Sequence, residues 1–303
     1  MYSYIVIDGT NFFHRCFAAS KKTHIKFPDS KVLYTGAITF AFERIKYLRK
    51  KFAYDNSTWF FLFDNPNSAI NIRKFLSNGE YKHARERNKN FDRMFKYLDL
   101  FTLILKVYDD NFYIAKLDNM EADDLTAPIA RFIKASNFKK ALYISSDMDW
   151  ARNMDNHSDW FDWNTVYNKM IFKNKYGFVP SNKSITMYKA IHGDISDSIE
   201  NAVPNLPKKI LMDLANNCQS VDEILPYMEN NNHPKKWLNK VHDNYEKIVR
   251  NYILVDFMPI GKDAEDILYK CKRDKDECSL FFKALNLPLE FWMINKKNPF
   301  EKK

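Results

Sequence analysis

Carboxylates stand at the points where the apolar runs of this sequence end. Asp8 ends the run YSYIVID, Asp64 ends TWFFLFD, and the acids of SSDMD follow KALYI. Further acids lie in EADD and in GDISD. The whole set is Asp8, Asp64, Glu121, Asp123, Asp124, Asp147, Asp149, Asp194 and Asp197. Like charges at close range raise one another's pKa, so these acids could share one place only with bound cations.

The ligand atoms of this set are all oxygens, with neither histidine nor cysteine among them, and this composition favours Mg²⁺, with Mn²⁺ able to substitute. Two such ions about 3.5 to 4 Å apart can activate a water and stabilise the leaving oxygen of an in-line attack on a phosphodiester. The alternative for any single acid is a helix cap, and Asp123 or Asp124 fits the first turn of a helix over ADDLTAPIARF. Capping does not account for the set, which predicts hydrolysis of a nucleic-acid backbone.

The elements that must position these acids alternate along the chain. Strand-like YSYIVID, TWFFLFD and KALYISSD alternate with helix-like GAITFAFERIKYLRKKF and ADDLTAPIARFIKAS. This alternation predicts an α/β fold with a central, mostly parallel sheet flanked by helices. Ligands bind outside the carboxyl ends of the strands in such sheets, so we expect the acids to share one edge.

The whole chain, with 303 residues and 46% hydrophobic residues, can bury a core and one appended region. A net charge of +9 suits a polyanionic partner, although many proteins are basic without one. The four cysteines form no C-x-x-C pair, which argues against a zinc site. With no apolar run long enough for a membrane and no signal-like start, we expect a cytoplasmic protein.

Two regions depart from the strand and helix alternation. The basic, apolar-poor stretch between residues 65 and 90 is too long for a tight connection and is typical of a lid or binding segment. From residue 188 onward the sequence becomes mostly helical. We therefore predict a core at 1–187 with a functional segment at about 66–92, followed by a helical region at 188–303. Because the stretch from 72 to 89 has little apolar surface, we expect it to order only when substrate arrives.

The ordered series IDGTNFFHR, FLFDNP, NIRKF, EYKHAR, EADDLTA, SSDMDW, NKYGFVP and AIHGDISDSI resembles the 5′ nuclease (flap endonuclease) family. It is most similar to bacteriophage members of that family, including the ribonuclease H of T-even phages. The resemblance spans roughly residues 4–220, and a weaker similarity follows in RNYILVDF. It implies a PIN-like 5′ nuclease core, a helical arch over the basic stretch, and a helix-three-turn-helix motif in the helical region.

The resemblance also implies roles for single residues. One metal ion would be held by Asp8, Asp64, Glu121 and Asp123, and a second by Asp147, Asp149 and Asp197, with Asp124 and Asp194 in the outer shell. Lys82 and Arg85 would contact the scissile phosphate, which suits cations aimed at developing negative charge. Nucleic acid would be contacted by Arg15, Arg73, Tyr81, Lys208 and Lys209. For Tyr81, packing within the arch stays open as an alternative. For each of the other four residues, the alternative is a solvated surface position.

One departure concerns the turn of the helix-three-turn-helix. The family has a glycine-rich turn there, whereas this chain reads SIENAVPNLPKKILMDLA without a glycine. Side chains obstruct close approach of the backbone, which puts the family's monovalent-ion and main-chain phosphate site in doubt. Lys208 and Lys209 could compensate at the start of a predicted helix.

The function expected from the resemblance is a monomeric 5′–3′ exonuclease and flap endonuclease that acts on DNA with 5′ flaps or nicks and on RNA–DNA hybrids. In a phage this implies removal of RNA primers during replication in the host cytoplasm, with ribonuclease H activity. The segment LPLEFWMIN could dock on a sliding clamp or single-strand-binding protein, or belong to the core. Two alternatives are a PIN-type ribonuclease and a non-catalytic branched-DNA-binding protein.

Overall fold

The computed structural model describes residues 1–20, 25–26, 32–33, 35–65, 73, 75–77, 79, 81–82, 89–136 and 139–287. Arg85 lies outside the described residues. The same holds for most of the basic stretch expected to order on substrate and for nearly all of LPLEFWMIN.

Nine strands occur in the described residues: β1 (Tyr2–Asp8), β2 (Ile25–Lys26), β3 (Val32–Leu33), β4 (Ala53–Leu62), β5 (Phe112–Ala115), β6 (Ala141–Ile144), β7 (Ser158–Phe161), β8 (Val166–Tyr167) and β9 (Tyr269–Lys270). All but β2 and β3 form one sheet in the order β8-β7-β6-β1-β4-β5-β9. The five inner strands pair in parallel, and the edge strands β8 and β9 are antiparallel. The predicted mostly parallel α/β sheet is confirmed.

The helices in the described residues are α1 (Gly9–Ala19), α2 (Gly36–Phe52), α3 (Lys89–Tyr108), α4 (Thr126–Ala135), α5 (Lys169–Tyr176), α6 (Asn182–His192), α7 (Lys208–Asn217), α8 (Ile224–Asn230), α9 (Lys235–Asp243), α10 (Tyr245–Val255), α11 (Ala264–Ile267) and α12 (Lys275–Ala284). None of them is long and apolar enough to cross a membrane. The helix predicted from GAITFAFERIKYLRKKF is α2, residue for residue.

Helices cover both faces of the sheet, which explains why β1 is buried over five consecutive residues. Its side chains alternate between two cores: Ile5 and Ile7 pack on the face covered by α1, α2 and α3, while Tyr4 and Val6 pack on the face covered by α4. A strand has a side-chain period of two, so one short segment supplies both cores. The central strand is therefore packed on both faces, which fixes the position of Asp8 at its carboxyl end.

The helices from α6 to α10 pack around a third core. It contains Met187 and Ile191 of α6, Leu214 of α7 and Ile248 of α10, and it also receives Tyr81 from the basic stretch. The chain then returns to the sheet, because β9 pairs with β5 and Phe282 of α12 joins the core under α2 and α3. The boundary predicted at residue 188 stays a prediction, and the segment 264–287 packs on the sheet side of it.

Candidate active site

The carboxyl ends of β1, β4 and β6 bring the first acids together. Asp8 is the last residue of β1, and its two oxygens accept hydrogen bonds from the Asn11 amide at 2.8 Å and from the Ser145 hydroxyl at 2.8 Å. Asp64 follows β4, and its Oδ1 accepts from the Ala122 amide at 2.8 Å. These bonds fix each side chain at the strand edge and join the loop before α4 to that edge.

The loop Glu121–Asp124 contributes three carboxylates whose oxygens can all lie within 4.8 Å of one another. Asp124 is completely buried and accepts from the amides of Glu121 at 3.1 Å and Met258 at 2.8 Å. Asp123 accepts from the Asp124 amide at 2.8 Å. Neither acid lies in the first turn of α4, which has no acidic residue. The alternative that Asp123 or Asp124 caps this helix from its first turn is therefore wrong. The loop orients its acids inward, as a metal-binding loop requires.

Cations from the basic stretch neutralise part of this loop. The Arg73 guanidinium donates to Glu121 at 2.5 Å and to Asp124 at 2.8 Å, and only 2% of Arg73 is exposed. The Lys82 ammonium also donates to Glu121 and lies 3.7 Å from Asp197. The Lys82 backbone has the left-handed φ of 55°, and its amide donates to the Asp197 carbonyl at 2.9 Å. This side of the site is therefore bound to the GDISD segment through Lys82.

Tyr81 is buried between the same two acids. Its hydroxyl lies 3.0 Å from Glu121 and 3.2 Å from Asp197, within hydrogen-bonding distance of both, and 2% of the residue is exposed. The ring therefore packs in this structure, and its stacking on a base stays a prediction. The solvated position that was open for Arg73 is wrong, since Arg73 is buried; its contact with phosphate also stays a prediction.

The second group of acids surrounds a buried lysine that the sequence analysis missed. Lys189 of α6 donates to Asp149 at 2.6 Å and to Asp194 at 2.7 Å, and it lies 3.6 Å from Asp147. Arg152 donates to the same oxygen of Asp149 at 2.8 Å through Nη2 and 3.1 Å through Nε. Lys189 lies five residues before Asp194 on a helix that also carries Lys183, so no sequence pattern singled it out, although an interior lysine requires an acid beside it.

These ion pairs divide the acids electrostatically. Burial opposes ionisation of Glu121 and Asp149, but Lys82 and Arg73 outweigh it for Glu121, and Arg152 and Lys189 for Asp149. The pKa of each of these two carboxyls is therefore lowered. Both stay ionised at neutral pH with a protein cation as counterion.

Asp8, Asp64, Asp123 and Asp197 are compensated less completely, and the pKa of each is raised. Burial raises the pKa of Asp8 to about 8, with further contributions from Asp64 and Asp147. Burial also raises the pKa of Asp64 and of Asp123, to which neighbouring acids add. Burial raises the pKa of Asp197 to about 6, although Lys82 opposes the change. Since these acids act on one another's pKa, the structure brings the predicted carboxylates into one acidic cluster.

A divalent cation fits this arrangement. Buried carboxylates whose pKa is raised by like charges gain most from a bound ion, and all the candidate ligand atoms are oxygens. Asp8, Asp64 and Asp123 have this character, whereas Glu121 and Asp149 already have protein cations beside them. The donor set therefore suits Mg²⁺ or Mn²⁺, and the metal itself stays a prediction.

The predicted nucleic-acid contacts lie around the cluster. Arg15 is exposed on α1 with its guanidinium 5.5 Å from the Trp163 ring, and Trp163 donates to Asn11 near the Asp8 end of β1. Lys208 and Lys209 are exposed at the first two positions of α7, the place predicted for them. In the turn before α7, Asn205 takes the left-handed φ of 63°. Asparagine adopts this conformation more readily than other side chains except glycine, while the doubt about a main-chain phosphate site at this turn stands.

Comparison with known families and structures gives a consistent result. A family model described as 5′–3′ exonuclease, N-terminal resolvase-like domain, matches residues 3–177. No curated protein sequence matches the chain.

Several solved structures share the fold. A bacteriophage T5 protein crystallised with metal ions is 22% identical with a TM-score of 0.64, over 95% of this chain and 98% of that one. The bacteriophage T5 flap endonuclease in a pseudo-enzyme–product complex with DNA and metal ions is 21% identical with a TM-score of 0.63, over 95% and 98%. Human GEN1 in complex with Holliday junction DNA is 13% identical with a TM-score of 0.54, over 95% of this chain and 67% of GEN1.

Proposed function

This chain belongs to the 5′–3′ exonuclease family, as the match of its N-terminal resolvase-like domain over residues 3–177 establishes, and from that premise we propose that it is a divalent-metal-dependent, structure-selective 5′ nuclease. The observation that carries the proposal is the incomplete neutralisation of the acidic cluster. Buried cations compensate Glu121 and Asp149, but Asp8 and Asp123 keep a raised pKa.

Two divalent ions would be held by the residues that the family resemblance assigns. Asp8, Asp64, Glu121 and Asp123 would hold one, Asp147, Asp149 and Asp197 the other, and Asp124 and Asp194 would support them. When bound, the ions supply an activated water and charge for the leaving oxygen of an in-line attack. The all-oxygen donor set supports Mg²⁺, with Mn²⁺ as a substitute.

The chain's own cations then hold the substrate. Lys82 lies between Glu121 and Asp197, and a phosphate oxygen beside the cluster would compete with these acids for its ammonium. An ammonium placed there stabilises the negative charge that develops on the phosphate during cleavage. Arg85 is proposed to act with Lys82. Lys189 keeps Asp149 and Asp194 ionised and fixed, so these acids need no rearrangement when substrate binds.

The substrate proposed is branched DNA with a 5′ flap or nick. The complexes of the T5 protein with DNA and of GEN1 with a Holliday junction support this class. On this chain, the side chains of Lys208 and Lys209 and the positive dipole end of α7 would form a sequence-independent phosphate contact. We further propose cleavage of RNA primers on DNA during replication in the cytoplasm, as a monomer, with a clamp or single-strand-binding protein as a partner.

A cleavage assay tests the proposal and separates it from its alternatives. Flap, nicked, blunt and RNA-primed DNA duplexes, together with single-stranded RNA, are incubated with the protein in Mg²⁺, in Mn²⁺ and in EDTA. We expect rapid metal-dependent cleavage of the flap and slow cleavage of blunt duplex. Preferential cleavage of single-stranded RNA would instead identify a PIN-type ribonuclease, and flap binding without cleavage would identify a binding protein.

A further inference from the structure

The residues that follow α10 pass directly behind the acidic cluster. The Asp256 carbonyl accepts a hydrogen bond from Arg73 Nη2 at 3.1 Å, and the Met258 amide donates to Asp124 Oδ1 at 2.8 Å. Arg73 and Asp124 are themselves paired and buried. One side of this tripeptide is therefore bonded to the half of the cluster that contains Glu121 and Asp123.

Phe257, which lies between Asp256 and Met258, faces the half of the cluster that contains Asp149. The Phe257 ring centroid lies 4.7 Å from the guanidinium carbon of Arg152. The side chain of Arg152 is 0% exposed and is paired with Asp149, and its Nη1 has no hydrogen-bond partner among the described residues. A buried guanidinium with an unpaired N–H group is stabilised by the negative face of an aromatic ring. The Phe257 ring therefore stabilises the position of the Arg152 guanidinium, which in turn pairs with Asp149.

Hydrogen bonds of Asp256 fix the position of the tripeptide. Asp256 Oδ1 accepts from the Phe257 backbone amide at 2.9 Å, and it lies 3.3 Å from the side-chain Nδ2 of Asn182 and 3.5 Å from the Thr186 hydroxyl. Asn182 and Thr186 belong to α6, the helix that carries Lys189. The segment thus has contacts to both halves of the cluster and to the helix between the sheet and the helical region.

We propose that residues 256–258 form a brace that sets the two halves of the acidic cluster relative to each other, with Phe257 and Arg152 as positioning residues for the proposed metal-dependent reaction. This inference rests on the proposed function and gives a role to the RNYILVDF sequence. If the Phe257 ring is lost, Arg152 and Asp149 can shift, while the bonds of Arg73 to Asp124 remain. The ion held by Asp147 and Asp149 should therefore bind more weakly than the ion held by Glu121 and Asp123.

The test is direct Mn²⁺ binding to the full chain without DNA, by calorimetric titration and by the electron paramagnetic resonance of free Mn²⁺. Phe257→Met removes the ring but keeps an apolar side chain of similar volume, and Phe257→Tyr keeps the ring. Phe281→Met is the matched control, since Phe281 is a partly buried phenylalanine in another core. We expect Phe257→Met to weaken one class of Mn²⁺ site by about tenfold, the size typical of losing a residue that orients a ligand, with Phe257→Tyr and Phe281→Met near wild type.

Wild-type Mn²⁺ affinity in Phe257→Met would overturn the brace, and so would equal weakening in Phe257→Met and Phe257→Tyr, because the ring face would then be irrelevant. If Phe257→Met does not fold, Arg152→Lys is compared with wild type instead. This substitution keeps the positive charge but loses the planar, forked guanidinium. Weakened Mn²⁺ binding there supports the brace, and unchanged binding contradicts it. Because binding is measured without DNA, a protein that binds Mn²⁺ as expected but cleaves nothing would refute the nuclease proposal and leave the brace intact.

Discussion

At the scale of the residue, the acidic cluster contains two kinds of carboxylate. Glu121, Asp149 and Asp194 have a buried lysine or arginine within hydrogen-bonding distance. Asp8 is buried and Asp123 is partly buried, and both have mainly other acids around them. Since burial penalises an ionised group that lacks a counterion, ionisation of the second kind carries a cost that is removed either by protonation or by a bound cation. The division predicts how single substitutions affect stability and cleavage.

Asp8→Asn should stabilise the metal-free protein at alkaline pH. The pKa of Asp8 is raised to about 8 from 3.8, so the stability it contributes is fully present below about pH 4 and is lost as the pH rises through about 8. Asparagine cannot ionise and keeps an oxygen for the Asn11 amide. In EDTA the melting temperature of wild type should fall between about pH 5 and pH 8 more steeply than that of Asp8→Asn.

The control for this prediction is Asp243→Asn, whose side chain is 73% exposed. It should follow wild type at every pH. In Mg²⁺ the order should reverse, because wild type gains a ligand that Asp8→Asn has lost. A wild-type protein whose melting temperature neither falls with pH in EDTA nor rises with Mg²⁺ would contradict the proposed charge imbalance.

Lys82→Ala should slow the chemical step. The Lys82 ammonium already lies against Glu121 and near Asp197, so its loss removes a positive charge at the position proposed for the scissile phosphate. Single-turnover cleavage of a 5′ flap should fall by about 10² or more, the usual effect of losing one such contact. Lys116→Ala, at a lysine 39% exposed and paired with Asp99, is the control. A loss confined to flap affinity would demote Lys82 to a substrate contact.

At the scale of the element, the turn before α7 lacks the glycine that the family resemblance implies and has a left-handed asparagine instead. Asn205 has φ 63°, which asparagine tolerates better than other side chains except glycine. Beside it, Lys240 of α9 donates to the Pro204 carbonyl, so an ammonium lies against the main chain of the turn. The turn therefore presents positive charge next to Lys208 and Lys209 without a glycine.

Substitution of Asn205 should separate backbone conformation from side-chain chemistry. Asn205→Gly keeps the left-handed conformation and should bind duplex DNA within about twofold of wild type. Asn205→Val, which disfavours that conformation by about 1 kcal/mol or more, should weaken duplex binding and lower the melting temperature. Fluorescence anisotropy with a blunt duplex in Ca²⁺ measures the binding. Equal affinities in Asn205→Gly, Asn205→Val and wild type would mean that the turn does not contact the duplex.

Elements set by local pattern were predictable from sequence, and contacts between distant residues were not. The helix Gly36–Phe52 and the strand ending at Asp8 follow from periodicity, so the shared carboxyl edge could be derived. Lys189 looked like an ordinary lysine and Arg73 like a contact to nucleic acid, because most of their acidic partners are distant in the chain: Asp149 lies 40 positions from Lys189, and Asp124 lies 51 positions from Arg73. Burial of such a cation depends on tertiary packing, and no local pattern encodes it.

At the scale of the whole molecule, the site is assembled from both ends of the fold. Strand β1 supplies Asp8, the loop after β6 supplies Asp147, α6 supplies Lys189, and the segment after α10 supplies the brace. The return of the chain to the sheet through β9 was not predicted, since a two-residue, exposed strand at Tyr269–Lys270 leaves no hydrophobic pattern. Because three separate regions converge on the cluster, its geometry depends on the packing of the entire chain.

The measurement that tests the central claim most directly compares cleavage and binding of a 5′ flap by Asp147→Asn and Asp149→Asn. Each variant should lose most cleavage in Mg²⁺ while its affinity for the flap in Ca²⁺ stays within a few-fold of wild type, because the acids organise the chemistry and the basic surface provides affinity. Asp243→Asn should match wild type in both assays. Near-normal single-turnover cleavage in either Asp147→Asn or Asp149→Asn would contradict a metal-dependent nuclease site at this cluster.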